Sequence, residues 1–162
     1  MEWNTFDFEY DDEDQDEAKR SASRRLMPAP SLISRLRVRS CDVDSFGHVN
    51  NSVYLQYCEG ARNDYMLERG LVFADFAKWN AGPVLTKAQL DFRAPAVIDD
   101  ELLIRGVLET DGRVRFHIDH AIERVGDGAV ICVARLDFAF VDLTSGRPCR
   151  IPEAFRVAFE GP

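Results

Sequence analysis

Cys41-Asp-Val-Asp-Ser-Phe-Gly-His-Val-Asn-Asn-Ser-Val-Tyr54, continued by Leu55-Gln-Tyr-Cys-Glu-Gly-Ala-Arg62, is the stretch around which the rest of the chain must organise itself. Upstream of it, Ile33 to Ser40 alternates Ile33, Leu36 and Val38 with Arg35, Arg37 and Arg39 closely enough to predict a half-buried strand. Gly47 allows a backbone conformation other residues resist, and Asn50 or Asn51 is a preferred N-cap, so the chain is expected to turn there and enter a helix. Along that helix Tyr54, Tyr57, Cys58, Ala61 and Tyr65 recur at three- and four-residue spacing, a stripe suited to a core. Gly70 is the expected stop.

A helix that begins this way leaves its first N–H groups unpaired, with the positive end of its dipole behind them. Asp42, Asp44 and His48 lie next to that end in the sequence. A carboxylate to attack or activate water, beside donors for a developing oxyanion, is the equipment for chemistry on an acyl group. Taken singly, either aspartate reads equally well as a cap or turn former.

The run Asp42-x-Asp44-x-x-Gly47-His48-Val49-Asn50-Asn51-x-x-Tyr54-x-x-Tyr57-x-Glu59-x-Ala61-Arg62 resembles the signature of the hotdog-fold acyl-CoA thioesterases, the 4-hydroxybenzoyl-CoA thioesterase-like superfamily. The resemblance extends over about residues 32 to 155 through strand order as well as motif. It implies that Asp44 is the catalytic carboxylate and that the amide near Asn51 polarises the thioester carbonyl. It further implies that His48 mainly orders the loop, with any proton transfer secondary, and that Gly47, Val49, Asn50 and Tyr54 contribute to the substrate site. One branch of the family carries its carboxylate on the helix, eight residues after the polarising amide, and Glu59 stands at that spacing from Asn51. Eight residues is about 12 Å of helix, so Glu59 would serve a site on a neighbouring subunit rather than its own. Asp44 is favoured, and a structural i,i+3 contact with Arg62 is the plain reading of Glu59. No metal or redox cofactor is implied.

Composition draws the boundaries. With 162 residues and 46% hydrophobic side chains, one domain with a real core is expected. Residues 1–17 contain nine acidic and no basic side chains, and the rest of the chain balances 20 basic against 19 acidic. Residues 1–28 are therefore expected to be an acidic tail without the apolar content to fold, and residues 29–162 a single thioesterase domain. The tail has no apolar segment of the kind a secretory signal needs, and no window approaches the roughly 18 apolar residues of a membrane span. Cys41, Cys58, Cys132 and Cys149 show no C-x-x-C spacing and read as reduced thiols of a cytoplasmic protein.

The second half alternates like a sheet. Thr86 to Arg93 places Ala88, Leu90 and Phe92 on one side, and further strands are expected at Leu102–Leu108, Arg113–Glu123 and Val130–Val141. Thr110-Asp111-Gly112 and Gly126-Asp127-Gly128 supply the turns, and Ile151-Pro152-Glu153 opens a terminal helix. One strand, a long helix and four antiparallel strands make an α+β fold with the sheet wrapped around the helix, the hotdog order. A free sheet edge is a liability for a monomer. The resemblance implies a homodimer joined edge to edge, often paired again into a homotetramer, with active sites between subunits.

His117-Ile-Asp119-His120 suggests a metal site, but in a strand His120 faces away from the other two, and no metal is expected. Arg93, Arg113, Arg115 and Arg150 are candidates to meet CoA phosphates, Arg93 first among them, with a solvated charge as the plain alternative. Nucleic-acid binding finds no basic balance and no motif to support it. The expected function is hydrolysis of acyl-CoA thioesters. The alternatives are the same reaction on acyl-carrier-protein substrates and a non-catalytic module that holds acyl groups.

Overall fold

The computed structural model describes residues 32–160, so the expectation for residues 1–28 lies outside them. Five strands form one antiparallel sheet in the order β1-β3-β4-β5-β2, with β1 at Leu32–Arg37, β2 at Ala81–Phe92, β3 at Glu101–Asp111, β4 at Arg115–Arg124 and β5 at Val130–Asp142. Helix α1, Asn51–Glu68, lies on one face of that sheet. Two short helices, α2 at Phe73–Trp79 and α3 at Glu153–Glu160, close its far end. This is the expected α+β arrangement of a sheet around one long helix.

The stripe on α1 is what makes the helix lie down. Tyr54, Tyr57, Cys58, Ala61 and Tyr65 are all buried, joined by Met66, and each fully buried large side chain contributes roughly 1.5–3 kcal/mol. The sheet answers with Ile104 on β3, Phe116, Ile118 and Ile122 on β4, and Cys132, Leu136, Phe138 and Phe140 on β5. Helix and sheet touch most tightly at Gly106, where an added Cβ would lie 2.9 Å from the Tyr65 ring and 3.2 Å from Leu32. There the Tyr65 hydroxyl donates to the Ile104 carbonyl at 3.2 Å, and its ring stacks on the imidazole of His120. Gly70, at φ +72°, ends the helix, and the Leu71 N–H reaches back to the Met66 carbonyl at 2.9 Å.

Several boundaries differ from the sequence reading. β1 stops at Arg37, because the chain tightens into a 3₁₀ turn at Ser40–Asp42. β4 begins at Arg115 rather than Arg113, since the turn at Gly112 (φ +73°) takes the residues between. β2 starts at Ala81, five residues before the alternation that marks it, and includes Pro83, which an edge strand tolerates. α2 was not foreseen: its seven residues are too few to show a helical period. Asp75 caps it by accepting the Val72 N–H at 2.9 Å, and Phe76 anchors it against Phe140 and Phe155. Ala88, Leu90 and Phe92 do pair with Leu136, Ala134 and Cys132, all buried on the helix side. Yet Ala88 and Phe92 stay exposed, because the covering helix does not extend over this edge.

The close approach at Gly106 yields a direct test. Gly106→Ala forces a methyl against the Tyr65 ring and is expected to destabilise the fold by about 1–3 kcal/mol in urea unfolding. Unchanged stability would mean that helix and sheet are not packed this closely.

Candidate active site

Residues 43–49 form a miniature hairpin ahead of α1. Val43 and Val49 pair across it, the Asp44 N–H donates to the His48 carbonyl at 2.9 Å, and the Gly47 N–H donates to the Asp44 carbonyl at 3.0 Å. Gly47 sits at φ +80°, which explains the glycine. Two more bonds aim this unit: the Val49 N–H donates to Ala96 and the Asn50 N–H to Asp42, both at 2.9 Å. The hairpin therefore hands the chain into α1 at one position. Asn50 is the N-cap, its Oδ1 accepting from the Ser52 N–H at 3.0 Å and the Ser52 hydroxyl at 2.7 Å. Val53 N–H takes the Asn50 carbonyl, so among the first amides Asn51 is the one with no partner among the described residues.

The two aspartates have different surroundings. Asp42 is 4% exposed and held by Arg39, whose backbone N–H, Nε and Nη2 donate to it at 2.9, 3.2 and 3.0 Å. Burial pushes its carboxyl upward, but the Arg39 bonds, with the Tyr57 hydroxyl beside it, overrule this and hold it at about 2. Burial, then the Asp42 charge, raises the Tyr57 phenol in turn. Asp42 is thus a clamp between the strand and the helix. Asp44 is half-buried, and one oxygen accepts the Phe46 N–H at 2.9 Å. Its Oδ2 has no partner among the described residues.

Of the other sequence candidates, Gly47, His48, Asn50 and Asn51 are exposed around the hairpin and helix start, while Val49 and Tyr54 are buried beneath them. Glu59 is exposed on α1 and accepts from Arg62 at 3.4 Å, its plain i,i+3 contact, while the Arg62 guanidinium lies over the Phe138 ring. Arg93 lies 4.0 Å from Asp91 beyond the end of β2. Arg39 and the Ala96 carbonyl escaped the sequence reading, though the Arg39–Asp42 spacing was there to be seen. Phe46 is 74% exposed at the hairpin tip, and Tyr54 of α1 packs on Phe92 of β2 at 5.3 Å between ring centroids. The helix start and the uncovered β2 edge are therefore neighbours.

His117 and His120 do face opposite sides of β4. His117 lies among Glu109, Asp111 and Asp119 on the outer face, and His120 is sealed under α1, where burial holds it down at about 4. No group of three or more acidic, histidine or cysteine side chains among the described residues is arranged to hold a metal. Burial also pushes the Cys58 and Cys132 thiols up to about 12, which removes them as nucleophiles at neutral pH.

Asp42→Asn tests the clamp. Its folded pKa lies below the ordinary carboxylate value, so its contribution of about 2 kcal/mol is full above about pH 5 and is lost as pH falls toward 2. Urea unfolding between pH 5 and 2 is expected to give a steep acid limb for the parent and a flatter one for the variant. Parallel limbs would remove Asp42 from the account.

Similarity to known proteins agrees with this fold. The family model described as the thioesterase-like superfamily matches residues 38–159, from the end of β1 through α3. The chain is 28% identical over 131 residues to the long-chain acyl-CoA thioesterase FadM of Escherichia coli, covering 78% of this chain and 96% of that protein. It is 27% identical over 124 residues to the chloroplastic acyl-acyl carrier protein thioesterase ATL3 of Arabidopsis thaliana, covering 76% of this chain and 65%, just under two thirds, of the plant protein. Among solved structures, a 1,4-dihydroxy-2-naphthoyl-CoA thioesterase from Synechocystis superposes with a TM-score of 0.76 at 22% identity, over 80% of this chain and 95% of that one. The probable thioesterase YbaW of Escherichia coli gives 0.70 at 26% identity, over 80% and 97%. No helix among the described residues is long and apolar enough to cross a membrane. The match across hairpin, helix and sheet shows that the chain belongs to the thioesterase-like superfamily and has its hotdog fold.

Proposed function

We propose that the chain hydrolyses acyl-CoA thioesters at the start of α1, with Asp44 as nucleophile or general base. The observation that carries this reading is the division of labour among the carboxylates. Asp42 is committed to Arg39 and Glu59 rests on Arg62, while Asp44 keeps an open oxygen on a hairpin tied to the helix start. The Asn51 N–H would hold the carbonyl oxygen as it becomes an oxyanion. By one route Asp44 attacks the carbonyl carbon, the intermediate expels the CoA thiolate, and water hydrolyses the resulting mixed anhydride. By the other, Asp44 takes a proton from water as the water attacks the carbonyl carbon, and the intermediate collapses to the acid by breaking the C–S bond, the CoA thiolate leaving and taking up that proton. His48 serves by closing the hairpin through its carbonyl.

The likeness to ATL3, which is named for acyl-carrier-protein substrates, favours a second reading in which the acyl group arrives on a carrier protein. Rates on matched acyl-CoA and acyl-carrier substrates separate the two. Asp44→Asn is expected to lower kcat by about 10²–10⁴-fold, whereas Glu59→Gln stays near the parental rate. Full activity in both variants would sink the assignment, and loss in Glu59→Gln alone would move the chemistry to the helix. In oxygen-18 water, a single turnover that labels the Asp44 carboxylate supports the anhydride route.

The site is open on the β2 side, and a second copy of the chain is the proposed cover. Val84, Leu85 and Phe92 are exposed along this edge. Arg93 N–H bonds Ile131, so by strand alternation the N–H groups of Ala88, Leu90 and Phe92 point away from β5 toward a partner strand. Ala88→Pro removes one of these donors without touching the β5 ladder. It is expected to lower the mass in sedimentation equilibrium and to reduce activity with it; an unchanged mass would exclude this edge as the joint.

A further inference from the structure

Four arginines converge at the end of the sheet opposite the candidate site. That site hangs on Ala96, near the end of β4, where Arg124 donates to the neighbouring Pro95 carbonyl at 3.2 Å. At the other end, Arg113 and Arg115 flank the entry to β4, and Arg147 and Arg150 lie on the segment beside it. The two tracks are joined through their backbones: Ile151 N–H donates to the Arg113 carbonyl at 2.8 Å, Phe140 N–H to Val114 and Asp142 N–H to Arg147, both at 2.9 Å. All four side chains are exposed, and none has a carboxylate partner among the described residues. The nearby acids are engaged elsewhere: Asp111 with His117, Asp142 with the turn at Thr144 and Ser145, Glu153 with Arg156. Asp142 keeps its own charge, since its partners are neutral donors, but the four arginines still outnumber the acids left at this end, and that excess of positive charge favours a polyanion.

The chain carries such a polyanion. Residues 1–17 hold nine carboxylates and no cation. The entry point of the fold brings it to this end. Leu32 pairs with Gly106, and β3 runs on past that pair through Val107 to Asp111 toward the turn that carries Arg113. That remaining run of β3 is about 17 Å, whereas the 14 residues between Glu17 and Leu32 extend to about 50 Å. Tethering gives the acidic segment a high effective concentration at the cluster. On β1 Arg37 is paired with Glu101 and Arg39 with Asp42, which leaves exposed Arg35, together with Lys19, Arg20, Arg24 and Arg25 of the intervening sequence, as the competing cations.

We propose that Arg113, Arg115, Arg147 and Arg150 form a docking surface for the chain's own acidic segment, residues 1–17. The contact is electrostatic, made within one chain, and independent of the catalytic reading. Backbone amide NMR on the full chain tests it, against a full-length variant in which the nine acids of residues 1–17 become Asn or Gln. At about 20 mM salt the two spectra are expected to differ at residues 112–115 and 147–150, and the differences to vanish near 0.5 M salt. Arg113→Glu with Arg150→Glu should abolish them at low salt while leaving the rest of the spectrum in place. Arg113→Gln with Arg150→Gln serves the same purpose if charge reversal disturbs the fold. The proposal is overturned if those amides do not move, if the changes fall on Arg35–Arg39 instead, or if they fade on dilution as a contact between separate molecules would.

Discussion

Everything in this molecule hangs on the burial of one helix face. α1 offers Tyr54, Tyr57, Cys58, Ala61 and Tyr65 to the sheet, and the sheet bends its strands around them. The contact is close because β3 has glycine at position 106, directly across from His120 of β4. A side chain there would lift Tyr65 and, with it, the helix. His120 shows how dry the seam is: at 1% exposure its two ring nitrogens have no hydrogen-bond partner among the described residues, and burial keeps it neutral at physiological pH.

The geometry of the candidate site follows from that anchoring. Because α1 cannot slide, its first turn is fixed in space, and the hairpin of residues 43–49 is fixed to that turn by Asn50 and to the sheet by Ala96. Asp42 completes the frame from below, its negative charge held by Arg39 at low cost. Asp44 then stands at the rim with one oxygen open, since the carboxylate two residues away is consumed in holding the loop together. A fold that commits one aspartate to structure and leaves its neighbour open separates two chemically identical side chains by environment alone.

The same frame leaves an unfinished side. The helix covers β4 and β5 but not the whole of β2, so residues with inward orientation, such as Ala88 and Phe92, remain exposed in a single chain. Since Tyr54 packs against Phe92, the uncovered edge adjoins the helix start. This adjacency is why a second copy and a complete site are linked in the proposed function.

Much of this was legible in the residues themselves. The stripe on α1, the Asn50 cap, the Gly47 turn and the period-two alternation of β3, β4 and β5 are local patterns, and local physics suffices to read them. The α+β order and the polar cluster at the helix start follow from them. What the sequence alone could not decide was which carboxylate is free, because Asp42 and Asp44 differ through Arg39, Tyr57 and a hairpin closed by Val43 and Val49. Nor could it yield α2, too short for a period, or the arginines gathered from residues 113–115 and 147–150. Those features depend on distant segments meeting, and only the packing of the sheet around its helix brings them together.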